Sequence, residues 1–128
     1  MDTIANMLTT IMNAQRVGKQ RVALPYSKFK ESLAMLLKNK GLVSAVRVQE
    51  GVQAKLVVTL AYENETTPRI SGVKRLSTPG RRLYAQRQEI PRPTTETGYI
   101  IVSTSQGLMD DAMARQQGVG GELVCEIW

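Results

Sequence analysis

Tyr99-Ile100-Ile101-Val102-Ser103-Thr104-Ser105-Gln106-Gly107 is an apolar run closed by three hydroxyls and a glycine. A short apolar stretch bounded by turn residues predicts a strand over 99–104. A short polar helix is expected next, from about Met109 to Gln117, and Gly120-Gly121-Glu122 then opens a last apolar run over 122–127. Two turns rich in hydroxyls or glycine thus flank one helix and concentrate hydrogen-bonding groups on a small surface.

Upstream of this stretch, Pro91 and Pro93 mark residues 89–98 as loop, and Arg82 to Ala85 suggests a short strand. Before it, Ile70 to Leu76 is extended, and Ser77-Thr78-Pro79-Gly80 is a turn in which Pro before Gly fits type II. Asn64 to Pro68 is polar and interrupts the pattern, so a boundary is placed there, dividing the chain into 1–64 and 65–128.

In the first part, Ile4, Met7, Leu8, Ile11 and Met12 recur at helical spacing and predict an amphipathic helix over about 2–15, with Asp2 suited to its cap. Val22 to Leu24 is a short strand stopped by Pro25. Ser27 caps a second helix running to about Lys40, whose buried face is Phe29, Leu33, Met35, Leu36 and Leu37, and Gly41 ends it. Val43 to Val48 and Lys55 to Tyr62 form a hairpin across Gly51. This part therefore reads α-β-α-β-β.

The 128 residues suffice for one ordinary domain or two very small ones. No apolar run approaches the roughly 20 residues needed to cross a membrane, and the start lacks the pattern of a signal peptide. A single cysteine, Cys125, has no intrachain disulfide partner, which fits a reducing compartment, most simply the cytoplasm. The absence of histidine removes the usual general base, the usual zinc ligand and the activating partner of a Ser or Cys nucleophile. No metal and no cofactor is expected. An enzyme built on Asp110, Asp111 and Lys or Ser groups stays open as an alternative, although no acid/base pair lies in an evident apolar pocket.

Seventeen Lys and Arg against eleven Asp and Glu give a net charge of +6 and a pI near 9.8. That balance favours an anionic polymer as partner, because each neutralised phosphate releases counterions. Arg69 to Arg92 holds seven bases and one acid, Glu89, while Pro93 to Trp128 holds five acids and one base, Arg115. Tyr84 sits inside the basic belt, and arginines interleaved with an aromatic suit phosphate contact plus stacking on a base or ribose. The competing reading is a solvated loop.

The turns carry the same pair of readings. Ser103, Thr104 and Ser105 lead into an expected helix N-terminus, whose exposed N–H groups attract phosphate, and uncharged hydroxyls can address a ribose 2′-OH or a base edge. Gly120 and Gly121 permit close backbone approach, and Glu122 can accept from a base amino group or an arginine. Alternatively, the hydroxyls only cap the helix and the glycines only turn the chain.

These residues resemble the family of bacterial small-subunit ribosomal protein eight. Its C-terminal signature is a Ser-Thr-Ser-Lys-Gly turn, a Met-Thr-Asp helix start, an Ala-Arg pair, Gly-Gly-Glu and a late Cys. Here these are Ser103-Thr104-Ser105-Gln106-Gly107, Met109-Asp110-Asp111, Ala114-Arg115, Gly120-Gly121-Glu122 and Cys125. The family's Ser-x-Pro-Gly-x-Arg-x-Tyr block is met by Ser77, Pro79, Gly80, Arg82 and Tyr84. Its N-terminal pattern is met by Asp2, Ile4, Ala5, Leu8, Ile11, Asn13 and Ala14.

The resemblance implies an α+β protein of two small α/β subdomains: the α-β-α-β-β part and a C-terminal small antiparallel sheet with one short helix. It implies no enzyme but a primary binder of the central domain of small-subunit ribosomal RNA that helps assemble the platform. Small-subunit proteins five and twelve are the implied neighbours. The alternative it offers is an RNA-binding repressor of its own operon messenger RNA. RNA contacts are implied at Ser103, Thr104, Ser105, Tyr84, Gly120, Gly121 and Glu122. Gln106 stands where the family has lysine and keeps a donor without the charge. Asn6 replaces an acid, and Thr10 and Met12 replace bases of the first helix. Lys28 and Lys30 match basic positions, and Arg81, Arg82 and Arg87 complete the expected contact set.

Overall fold

A computed structural model describes residues 3–128, so the expected cap at Asp2 lies outside the described residues. The chain divides between Ile70 and Ser71 into two compact units.

In the first unit, α1 (Thr3–Arg16) buries Met7, Leu8 and Ile11 along one stripe, as the spacing requires. Gln15 is buried too, and its amide donates to the Ile70 carbonyl at 2.7 Å. β1 (Arg21–Pro25) alternates, with Val22 and Leu24 inward. α2 (Lys28–Asn39) is capped by the Ser27 hydroxyl, which accepts from the Lys30 N–H at 3.1 Å. It buries Leu33, Ala34 and Leu37. Met35, expected on that face, is 39% exposed, because it stands two residues from both Leu33 and Leu37 and so points away from their stripe. Gly41 reverses the chain at φ +76°. β2 (Val43–Gln49) and β3 (Lys55–Leu60) then pair, and the antiparallel sheet has the order β1-β3-β2.

Residues 65–70 belong to this unit, so the expected division after Asn64 falls inside it. Asn64 does not begin a linker: its Oδ1 accepts from the N–H groups of Thr66 and Thr67, both at 2.9 Å, closing a local turn. The returning chain bridges Tyr62 to Pro68 and donates from Arg69 N–H to the Ala61 carbonyl at 3.0 Å.

The second unit contains β4 (Val73–Arg75), β5 (Tyr84–Ala85), β6 (Tyr99–Thr104), β7 (Gly107–Asp110), α3 (Asp111–Gln117) and β8 (Gly121–Ile127). The sheet is antiparallel in the order β4-β8-β6-β7, with β5 also paired to β8. The structure departs from two local expectations. Residues 107–110 are a strand rather than the start of a helix: Gly107, at φ +115°, turns the chain back, and Leu108 and Met109 pair with Ser103 and Val102. The helix begins at Asp111 and is capped by Asp110, whose carboxylate accepts from the Met113 N–H at 3.2 Å. The hydroxyls of 103–105 therefore close a hairpin and do not stand at a helix N-terminus. The Pro79-Gly80 turn is not type II either, because Gly80 lacks the positive φ that type II demands. Thr78 and Arg81 instead exchange both backbone hydrogen bonds around it, at 2.9 and 3.1 Å.

One face of this sheet carries the core of Ile90, Ile100, Val102, Met109 and, from α3, Ala114, with Leu76, Ala85, Val119 and Leu123 around it. Asp111 fastens α3 to the sheet: its carboxylate accepts from the Ile100 N–H at 3.0 Å and pairs with Arg115. Cys125 is buried, and desolvation pushes its thiol up to about 12 against the pull of Arg75. Among the described residues no helix is long and apolar enough to cross a membrane.

Candidate nucleic-acid interface

The register of β8 assembles the site. Glu122 is paired with Ser103 of β6 on one side and with Tyr84 of β5 on the other. Directly paired residues point to the same face of a sheet. Tyr84, Glu122 and Ser103 therefore form a row across three strands, continued by Leu108 opposite Ser103. The neighbouring row, Leu123, Val102 and Met109, belongs to the core packed against α3. The helix packs on that face; in the polar row Tyr84 is exposed and Ser103, Leu108 and Glu122 are half-buried. A bulge at Val124, between the Ile101–Cys125 and Val102–Leu123 pairs, keeps this alternation in phase.

Each expected contact residue has a distinct place. Tyr84 is 70% exposed. Ser105 and Gln106 are the two tip residues of the β6–β7 hairpin, both exposed, while Ser103 is half-buried. Thr104 is engaged within the turn: its hydroxyl donates to the Gly107 carbonyl at 2.8 Å and accepts from the Gln106 N–H at 3.1 Å. Thr104 thus takes part in the turn's own hydrogen bonding, and not in a helix cap.

Gly120 and Gly121 do permit close backbone approach, and the backbone is the protein's own. A β-carbon on Gly121 would lie 2.1 Å from the Ser103 carbonyl oxygen, and one on Gly120 would lie 2.3 Å from that of Ala85. Only glycine lets β8 enter between β5 and β6 here.

Glu122 is engaged as well. Its Oε2 accepts from the Ser77 hydroxyl at 2.6 Å and from the Arg82 guanidinium at 3.0 Å. Burial tends to raise the pKa of this carboxyl. The hydrogen bonds from Ser77 and Arg82, with the charges of Arg82 and Arg75, outweigh that and hold it below the usual carboxylate range. Ser77 is fully buried and also accepts the Leu83 N–H at 3.0 Å. It was absent from the expected contact set, although its place at the head of the Ser-x-Pro-Gly block could have flagged it.

Of the expected bases, Arg81 and Arg87 are exposed on either side of β5, and Arg82 is bound to Glu122. Lys28 and Lys30 belong to the first unit, at the start of α2, where Lys30 Nζ donates to the Pro25 carbonyl at 3.3 Å. They are not part of the row on the second unit. The acidic tail is less negative at the surface than its composition suggests. Asp110, Asp111 and Glu126 are buried and hydrogen-bonded, Glu126 to Thr94 N–H and hydroxyl at 2.8 and 2.7 Å. Among the described residues no group of three or more His, Cys, Asp or Glu is arranged to hold a metal ion.

The family described as Ribosomal protein S8 matches residues 2–128. The chain is 44% identical over 128 residues to the small ribosomal subunit protein uS8 of Natranaerobius thermophilus, covering 99% of this chain and 97% of the relative. It is 47% identical over 127 residues to the uS8 of Nitratidesulfovibrio vulgaris, covering 99% and 98%. To that of Teredinibacter turnerae it is 46% identical over 127 residues, covering 99% and 97%. A full-length match to a family of structural RNA-binding proteins removes the enzyme alternative. With its whole length matched and identities near 45%, the chain belongs to the ribosomal protein S8 family.

Proposed function

We propose that this chain, as a constituent of the small ribosomal subunit in the cytoplasm, is a primary binder of the central domain of small-subunit ribosomal RNA and helps assemble the platform. The observation that supports this reading is the register placing Tyr84 and Ser103 on either side of Glu122, with the Ser105-Gln106 tip at the end of the same hairpin. Tyr84 offers a ring to stack on a base or ribose. Ser105 and Gln106 offer uncharged donors and acceptors for 2′-OH groups and base edges, the features an irregular RNA helix displays. Arg81 and Arg87 flank them as phosphate contacts, and Lys28 and Lys30 supply a second cationic contact from the first unit. Shape and hydroxyl contacts set the choice of RNA, and the bases set the salt-dependent share of affinity. Small-subunit proteins five and twelve are the expected protein neighbours.

Footprinting of the pure protein on small-subunit ribosomal RNA tests this directly. Protection confined to one irregular helix of the central domain, with co-sedimentation with small subunits on sucrose gradients at high salt, is expected. Protection only of its own operon messenger RNA, with no retention on subunits, would make it a dedicated repressor instead.

A further inference from the structure

We propose that Ser77, Glu122 and Arg82 form a polar clamp with two tasks, presenting Tyr84 and withholding the Arg82 charge from RNA that does not fit the face. This deepens the RNA-binding reading and rests on it. The Ser77 hydroxyl has one hydrogen and gives it to Glu122 Oε2 at 2.6 Å, while its oxygen takes the Leu83 N–H at 3.0 Å. Leu83 directly precedes Tyr84, and its carbonyl accepts the Leu123 N–H at 2.9 Å. The segment before Tyr84 is thus tied to β8 through a side chain with no exposure to solvent. Buried polar groups satisfied in this way give a single defined conformation, and removing one partner leaves the other unpaired.

The same Oε2 also takes Arg82 Nη1 at 3.0 Å, with half of the arginine side chain exposed. A phosphate approaching Arg82 must compete with a carboxylate already in place. Arbitrary RNA therefore gains little from this cation. An RNA that also stacks on Tyr84 and meets the Ser105-Gln106 tip binds through groups the clamp has pre-positioned. In this account Arg82 and Ser77 are positioning residues, and the clamp sets the ratio of shape-selective to charge-driven binding.

Glu122→Gln keeps an acceptor for Ser77 and removes the charge that masks Arg82. Measured by filter binding over a salt series, it is expected to tighten non-cognate duplex RNA several-fold and to steepen the salt slope by about one phosphate contact. The Glu122→Gln/Arg82→Gln pair is expected to lose that gain. Ser77→Ala is expected to accelerate hydrogen exchange at the Leu83 amide at least about tenfold in the RNA-free protein, and to weaken cognate RNA about tenfold at unchanged salt slope. An unchanged slope in Glu122→Gln, or Leu83 exchange as slow in Ser77→Ala as in wild type, overturns the clamp. A Tyr84→Ala protein that binds cognate RNA as wild type does would instead sink the site reading, and Leu83 exchange would still judge the clamp by itself.

Discussion

A single carbon added at Gly121 would sit 2.1 Å from the Ser103 carbonyl oxygen, with the Ser103 carbonyl carbon at 2.9 Å. Both neighbours are backbone, so the strands themselves must move. We expect Gly121→Ala to cost about 1–3 kcal/mol of stability in urea denaturation, the usual range for overpacking a close contact. Ser105 is the opposite case. It is exposed at a hairpin tip, so Ser105→Ala should leave the urea midpoint nearly unchanged and cost roughly 1–2 kcal/mol of RNA binding, the loss of one intermolecular hydrogen bond. The hydroxyl cluster was legible in the sequence as a group, whereas the different duties of its members were not. Nothing in Ser-Thr-Ser says that the middle hydroxyl turns inward to Gly107 and leaves the next one at the tip. Glu122 was legible as a partner for an arginine, but its bond to Ser77, 45 positions away, was not.

At the level of elements, the α-β-α-β-β order of the first unit was readable because periodicity, the Ser27 cap and Gly41 all agree there. The start of α3, at Asp111, is not legible in the sequence for a definable reason. Leu108-Met109 is too short a stretch to separate strand from helix by period, and its strand character comes from pairing with Ser103 and Val102 across the hairpin. Asp110 then caps the helix, and Asp110→Ala should lower stability by about 1 kcal/mol in thermal or urea unfolding. The acidic tail was visible in composition, but how little of it reaches the surface was not. Asp110, Asp111 and Glu126 are spent on N–H groups and hydroxyls inside the unit. The boundary expected after Asn64 lies six residues before the division between the compact units, and a polar Asx turn and a linker share a composition.

For the molecule as a whole, charge and pH follow from the same contacts. The native Glu122 carboxyl lies below its ordinary value, so its contribution to stability is present above the unfolded value, about 4.3, and is lost as pH falls through the native one. The difference in urea midpoint between wild type and Glu122→Gln should therefore shrink as the pH is lowered from about 5 through the range below the unfolded value. A difference that stays constant across that range would remove the carboxylate's role. In the proposed reading, the excess of basic residues supplies attraction to RNA in general, while the row of Tyr84, Ser103 and the Ser105 tip supplies the choice among RNAs. Filter binding of a central-domain ribosomal RNA fragment by a Tyr84→Ala/Ser105→Ala variant tests that division of labour most directly. We predict affinity about 100-fold weaker than wild type, from a lost stack and a lost hydrogen bond, with the salt slope unchanged. Wild-type affinity in that variant, or a loss that appears wholly as a shallower salt slope, would contradict it.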